Sequence, residues 1–223
     1  MLQNLMLLGL IFVTPVFSES PVPVSVDYSG TPLELSDSGK GLSDTGRKVQ
    51  VFPTAVVTQG KNKWALKLSG AGVRWKTVAV IDVNVYAAAN YLDTQLKMDP
   101  AQPLKSIAAS KAKVMQLTFF RSLTAKEIGE ALKSALEKNG VNVKAPHLNQ
   151  FFGQFEFSVS PGETLTLIGL NTGKDEEEVI ALAPSQMIHG KGKGMATDIW
   201  KGYFGVPNDS GLEDLKKKLL SAP

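Results

Sequence analysis

The stretch that decides the fold is Leu68–Leu92, which reads LSGAGVRWKTVAVIDVNVYAAANYL. After two closely spaced glycines, Gly70 and Gly72, it is rich in valine, isoleucine, alanine and tyrosine, which favour β-strands. We therefore predict that residues 73–80 and 81–92 form two strands or one long bent strand. The two glycines predict a tight passage between these strands and the strand that precedes them.

The clearest helix in the sequence begins after Thr124. Thr124 and Glu127, three residues apart, have the spacing of a capping box, and Asn139 with Gly140 predicts the end of the helix. Between these signals, apolar residues recur at helical spacing: Ile128, Ala131, Leu132, Ala135 and Leu136.

Strands dominate the first part of the chain, and helices mix with strands in the second part. This order predicts an α+β domain with an antiparallel sheet and helices gathered on one face. The glycine-rich run 189–194 is typical of a flexible surface loop, or of an anion-binding loop before a helix.

The N-terminal residues indicate export. Residues 5–16 are almost continuously apolar, which matches the core of a signal peptide and is too short to span a bilayer. We predict a signal peptide over residues 1–18, with an uncleaved N-terminal anchor as the alternative, because no lysine or arginine precedes the apolar run. The mature protein would then be periplasmic or secreted.

The rest of the chain divides into two parts. Residues 19–47 are rich in proline, glycine, serine and aspartate, so we expect a polar arm or linker. Residues 48–223 are expected to form one folded domain.

Composition excludes several classes of function. The formal net charge of +3 is too small to indicate nucleic acid as a partner, and the absence of cysteine excludes disulfides and thiolate chemistry. The two histidines are far apart in sequence, so no metal site is expected. No motif indicates a cofactor, and whether the protein has a protein partner is left open.

The segment that contains Arg74 and Tyr86 resembles the chalcone isomerase-like superfamily. The resemblance rests on the Gly-x-Gly-x-Arg element at residues 70–74 and on the strand that ends in Tyr91 and Leu92. It implies an open-faced β-sandwich, in which a large antiparallel sheet is backed by a helical layer, with a ligand cleft between them.

The resemblance also implies where catalytic residues would lie. In the enzymes of this superfamily an arginine draws in a phenolate, while a threonine and a tyrosine organise a water near the ketone. Arg74 matches the arginine, but Tyr86, Ile128 and Ala135 stand at the threonine, tyrosine and asparagine positions. Ile128 and Ala135 cannot donate hydrogen bonds from their side chains, which speaks against catalysis.

The pair of Arg74 and Tyr86 is instead similar to the fatty-acid-binding branch of the superfamily. There an arginine and a tyrosine hold a ligand carboxylate in an apolar cleft, and Ile128 and Ala135 would line the wall for the tail. We therefore expect non-catalytic binding of a small apolar carboxylate such as a fatty acid.

Two alternatives remain at this point. The first is an isomerase, an intramolecular lyase of the chalcone isomerase type, which acts on a phenolic or enone substrate through Arg74 and Tyr86. The second is an interaction module whose polar arm, residues 20–47, contacts a partner and whose cleft is packed shut by Phe151, Phe152 or Met115. If the strand that begins at residue 78 is regular, Asp82, Asn84 and Tyr86 share one face with Val78 and Val80. Asp82 could then pair with Arg74 and compete with a ligand.

Overall fold

A curled antiparallel sheet with helices on one face forms the protein, as shown by a computed structural model that describes residues 22–35, 47–173 and 175–221. The helices are α1 (Pro103–Ala109), α2 (Ala125–Lys138), α3 (Pro146–Gly153), α4 (Met195–Phe204) and α5 (Ser210–Leu219). The strands are β1 (Val24–Ser29), β2 (Leu33–Leu35), β3 (Val49–Val51), β4 (Thr54–Gln59), β5 (Asn62–Val78), β6 (Ile81–Asp93), β7 (Ala112–Phe119), β8 (Leu123–Thr124), β9 (Ser158–Val159), β10 (Thr164–Gly173), β11 (Glu176–Ala183) and β12 (Gln186–Lys193).

The main sheet has eight strands in the order β1-β4-β5-β6-β7-β10-β11-β12, and every neighbouring pair is antiparallel. Two short pairs, β2 with β3 and β8 with β9, complete the strand pairing of the described residues. This architecture confirms the predicted α+β class.

Both faces of the sheet are apolar, because it curls around one core and packs helices on the other side. The inner core, inside the curl, includes Val57, Leu66, Tyr91, Val114 and Ile168. The helix-side core, under α1 to α5, collects aliphatic and aromatic side chains that include Leu117, Phe119, Leu136, Phe151, Trp200 and Leu215. The alternation of β6 serves both cores, since Ala88 and Leu92 face the helices while Ala87 and Tyr91 face inward.

The polar segment before residue 47 contributes to the sheet. β1 pairs with β4 along its whole length, and Val24, Val26 and Tyr28 pack against the inner core. Their period of two lets a segment that is polar on average bury one apolar face. Residues 24–29 and 33–35 therefore form strands, where we expected part of a polar arm or linker over residues 19–47. Residues 36–46 and 1–21, which include the predicted signal peptide, lie outside the described ranges.

Gly70 and Gly72 lie inside one long strand rather than in a passage between two strands. β5 runs without a break, and the last turn of α5 crosses it at the glycines. A methyl group on Gly70 would collide with the backbone carbonyl of Leu219, and one on Gly72 would lie 2.7 Å from the Cβ of Lys218. The glycines therefore permit close helix–sheet contact, which corrects the predicted tight passage.

The glycine-rich run 189–194 is also a strand for most of its length. β12 pairs with β11, and side chains of α3 and α4 pack directly on its glycines: Met195 and Phe151 on Gly190, and His147 on Gly192. The predicted loop is wrong. In a sequence, glycines that make room for a neighbouring side chain cannot be distinguished from glycines that make the backbone of a loop flexible.

The predicted capping box of α2 is confirmed. The hydroxyl of Thr124 accepts a hydrogen bond from the amide of Glu127, and the Glu127 carboxylate accepts one from the amide of Thr124. Gly140, with a φ of 72°, follows Asn139, the C-cap residue of the helix. Among the described residues, no helix combines the length and the apolar composition needed to cross a bilayer.

Candidate ligand cavity

A cavity of about 690 Å³ lies between the helix side of the sheet and α2. That volume falls within the range of roughly 300–1,000 Å³ typical of small-molecule sites. Its walls are mainly aliphatic and aromatic: Val78, Val83, Val85, Leu117, Phe119, Leu123, Ile128, Leu132, Ala135, Phe155, Leu165, Leu167, Tyr203 and Leu212. The site therefore has the size and the lining of a pocket for an apolar ligand.

Arg74 and Tyr86 lie side by side on the cavity wall. They are direct cross-strand partners in β5 and β6, which places their side chains on the same face of the sheet. Both line the cavity, and so do Ile128 and Ala135 on α2. The structure thus brings together all four residues that the sequence singled out; their role toward a ligand stays a prediction.

A β-bulge explains how β6 presents its side chains to the cavity. Arg74 pairs with Tyr86, whereas Trp75 pairs with Asn84, so Val85 is one extra residue on β6. As a result, Val83 and Val85 line the cavity together with Tyr86, while Asp82 and Asn84 do not. Our expectation that Asp82, Asn84 and Tyr86 share one face is wrong, because it assumed a regular strand.

Tyr86 supplies a neutral hydroxyl in an apolar environment. Its ring meets that of Phe119 edge-on, with centroids 5.7 Å apart. Burial raises the pKa of Tyr86 to about 12, while the charges of Arg74 and Asp209 act on it in opposite directions. Burial also raises the pKa of the neighbouring Tyr203 hydroxyl well above its usual value. At neutral pH both phenols are protonated and can donate a hydrogen bond.

The charge of Arg74 is already paired within the protein. Its Nη2 donates to Oδ2 of Asp209 at 2.6 Å, and Arg74 is 10% exposed at the side chain against 39% for Asp209. Its other terminal nitrogen, Nη1, is buried and has no hydrogen-bond partner among the described residues. The guanidinium therefore retains donor capacity beyond the ion pair.

Asp209 was missed by sequence reasoning, which proposed Asp82 as the competitor for Arg74. Asp82 instead accepts a hydrogen bond from the hydroxyl of Thr77 at 2.6 Å. Asp209 precedes α5 and caps it, since its Oδ1 accepts from the amide of Leu212 at 2.9 Å. The capping pattern of an aspartate before an amphipathic helix was the available signal, but it does not reveal a contact with a residue 135 positions away.

The helix α2 forms the opposite wall. It packs on α4 at Gly202, where an added methyl group would lie 3.0 Å from Leu132. Ile128 and Leu132 are half-buried and Ala135 is buried, so this stripe faces the cavity with hydrocarbon only. The aromatic side chains that were considered as blocking residues, Phe151 and Phe152, lie in the helix-side core and do not line the cavity.

Two further cations border the cavity. Lys76 is exposed on β5, and Arg121 is half-buried after β7. The Nε of Arg121 is buried and finds no hydrogen-bond partner within the described part of the chain. Arg121 was not singled out in the sequence, because nothing in its local pattern distinguishes it from a surface arginine.

The acidic and histidine side chains of the described residues do not group into a metal site, since no three of them converge.

Comparison with known proteins agrees with this architecture. Proteins described as chalcone isomerase-like match residues 47–221 of the chain. Among solved structures, a fatty-acid binding protein of Arabidopsis thaliana has a similar fold, with a TM-score of 0.54 and 14% sequence identity over 84% of this chain and 96% of that chain. No curated protein matches the chain. The family match spans most of the sequence, and the predicted resemblance is confirmed: the chain belongs to the chalcone isomerase-like family.

Proposed function

We propose that the protein binds a small apolar carboxylate, such as a fatty acid, in the cavity between the sheet and α2. The carboxylate would lie at Arg74 and Tyr86, and the tail would lie along Ile128 and Ala135. The observation that carries this proposal is the cross-strand pairing of an arginine and a tyrosine on the wall of a mainly apolar cavity.

The physical chemistry of the wall supports the proposal. A hydrogen bond to a charged acceptor contributes about 1.5–3 kcal/mol, and the cavity offers donors from a guanidinium and a phenol. Each buried methylene of a tail adds up to about 0.8 kcal/mol. The fold shared with a fatty-acid binding protein is consistent with this use of the cavity.

The isomerase alternative lacks a comparable observation. An isomerase of this family would need hydrogen-bond donors near a ketone, and the α2 wall offers Ile128 and Ala135 there. Other lining residues with hydroxyl groups, such as Tyr86, Tyr203 or Ser134, would have to supply the donor. Incubation with a chalcone, followed by absorbance, checks this alternative directly, and an enantioselective rate would establish it.

The first experiment is extraction of lipids from the protein purified from cells, followed by mass spectrometry. The second is titration calorimetry with hexadecanoic acid. We expect Arg74→Ala to weaken binding of the acid about 10- to 100-fold, because a charge-assisted hydrogen bond is lost. Arg47→Ala is the matched control, since Arg47 does not line the cavity.

The tail is tested separately from the carboxylate. Affinity should rise with chain length by up to about fourfold per methylene until the cavity is full. Ala135→Phe should shorten the longest acid that binds, because the new ring occupies the wall next to the tail. The proposal is wrong if the purified protein carries no acyl ligand and Arg74→Ala leaves the affinity for the acid unchanged.

We also propose that the protein is exported to the periplasm or secreted. This rests on the apolar run at residues 5–16 of the sequence alone. N-terminal sequencing of the protein from fractionated cells tests it, and a first residue of Glu19 is the expected result.

A further inference from the structure

The ion pair of Arg74 and Asp209 places a carboxylate of the protein on the arginine proposed to receive the ligand's carboxylate. The two side chains are joined by a single short bond, Nη2 to Oδ2 at 2.6 Å, and both line the cavity. A ligand carboxylate at Arg74 would therefore either displace that of Asp209 or lie next to it with like charge.

We infer that Asp209 is a specificity-determining residue: it competes with the ligand's carboxylate for Arg74 and so sets how strongly the cavity prefers acids over neutral ligands. This inference rests on the proposed function and names a determinant that the family resemblance does not supply.

Arg74 and Asp209 differ in their access to water. This difference makes Asp209 the group that a bound acid displaces. Arg74 is 10% exposed, so it loses most of its hydration and needs an anion near it. Asp209 is 39% exposed and stands at the end of the loop between α4 and α5, so its carboxylate can be hydrated after it is released. A bound acid can thus replace Asp209 while Arg74 keeps a partner throughout.

The two carboxylate oxygens of Asp209 accept hydrogen bonds from different groups. The competition for Arg74 can therefore be tested without removing the cap of α5. Oδ1 accepts from the amide of Leu212, whereas Oδ2 accepts from Arg74. Asparagine is as good an N-terminal capping residue as aspartate. Asp209→Asn therefore removes the competing charge and leaves a side chain that can still cap the helix.

The experiment measures binding of hexadecanoic acid and of hexadecanol by titration calorimetry, in the wild-type protein and in Asp209→Asn. We expect the affinity for the acid to rise about tenfold or more, because Arg74 then has no competing anion, and the affinity for the alcohol to change less than about twofold. The matched control is Asp214→Asn, which removes the same charge from α5. Asp214 does not line the cavity, and its Oδ2 accepts a hydrogen bond from Nε1 of Trp75 at 3.3 Å.

The outcomes separate the two ideas. If the wild-type protein binds the acid and Asp209→Asn leaves that affinity unchanged or lowers it, the competition is refuted; transfer of the carboxylate to Arg121 is one way this would occur. If acid and alcohol gain equally, the gain does not come from removal of a competing charge, and the inference is also refuted. If neither protein binds any acid, the proposed function itself fails. Asp209→Ser, which also caps helices, repeats the test if the asparagine variant does not fold.

Discussion

The contact between α5 and β5 yields a stability prediction whose size follows from the geometry. In Gly70→Ala, the new methyl group would lie 2.6 Å from the carbonyl oxygen of Lys218 and even closer to the carbonyl of Leu219. Both obstacles are backbone atoms, so no side-chain rotation relieves the collision, and the helix has to shift.

Two responses are available to the protein, and they cost similar amounts. If α5 shifts slightly and keeps its packing on the sheet, the strain of the overpacked contact costs about 1–3 kcal/mol. If its last turn lifts, Leu219, which is fully buried, becomes exposed at a cost of about 1.5–3 kcal/mol. We therefore expect the free energy of unfolding to fall by about 1–3 kcal/mol in Gly70→Ala.

Equilibrium denaturation in guanidinium chloride measures this loss. Gly153→Ala is the matched control, because Gly153 is the last residue of α3 and a methyl group there meets no heavy atom within 4 Å. That control should be neutral or more stable by about 0.4–1 kcal/mol, since alanine restricts the unfolded chain. If Gly70→Ala proved as stable as its control, the close approach of α5 to the strand would be refuted.

Three further changes test buried polar groups. Asn90→Leu removes the buried acceptor of the Trp200 indole (Nε1 to Oδ1, 2.9 Å), so urea denaturation should show a loss of about 1–3 kcal/mol; unchanged stability would contradict the bond. Because burial raises the pKa of Tyr86 to about 12, the folded state keeps a proton that the unfolded state loses, so the free energy of unfolding falls as the pH rises from 10.0 through that value. In Tyr86→Phe, urea denaturation at the same pH values should show a smaller fall in the free energy of unfolding. If the free energy fell as steeply with pH as in the wild-type protein, Tyr86 would be excluded as the cause. Glu177→Ala leaves the buried ammonium of Lys113 without its carboxylate (Nζ to Oε1, 3.4 Å), at an expected cost of about 3–5 kcal/mol that a second change, Lys113→Met, should partly restore. If Glu177→Ala were as stable as the wild-type protein, the pair of Lys113 and Glu177 would not contribute to stability.

The parts of the fold that sequence predicted well are those that local chemistry determines. The capping box of Thr124 and Glu127 and the glycine after Asn139 act within a few residues, so they fix both ends of α2 without reference to the rest of the chain. The strand-favouring composition of residues 73–92 is equally local, although it did not reveal that β5 continues through the glycines.

The errors arose where distant segments determine the conformation. Gly70 and Gly190 sit in strands because α5 and Met195, respectively, need the space above them, and neither neighbour is visible in the local sequence. β1 joins the sheet because β4 offers an unpaired edge to a segment whose average composition is polar. Composition alone does not report such a partner.

The residues of the candidate site also fall into a group that the sequence indicated and one residue that depends on contacts between distant segments. Arg74, Tyr86, Ile128 and Ala135 were selected through a family resemblance, and the structure places all four on one cavity. The carboxylate of Asp209 was not found, because its contact with Arg74 depends on how α5 crosses the sheet. The charge balance of the site is therefore a tertiary property, which position-by-position comparison with relatives does not give.

The position of β1 has a practical consequence for handling the protein. The residues matched by the family begin at 47, so a chain trimmed to that boundary loses β1 and leaves the outer backbone amides and carbonyls of β4 without partners. Because β1 is itself the edge strand of the sheet, an open border exists in both proteins, but the trimmed protein also exposes the inner-core side chains on which Val24, Val26 and Tyr28 pack. An exposed apolar patch next to an open strand edge promotes association. We expect the shortened protein to self-associate, with light scattering that grows with concentration, while the protein that retains residues 22–35 stays dispersed.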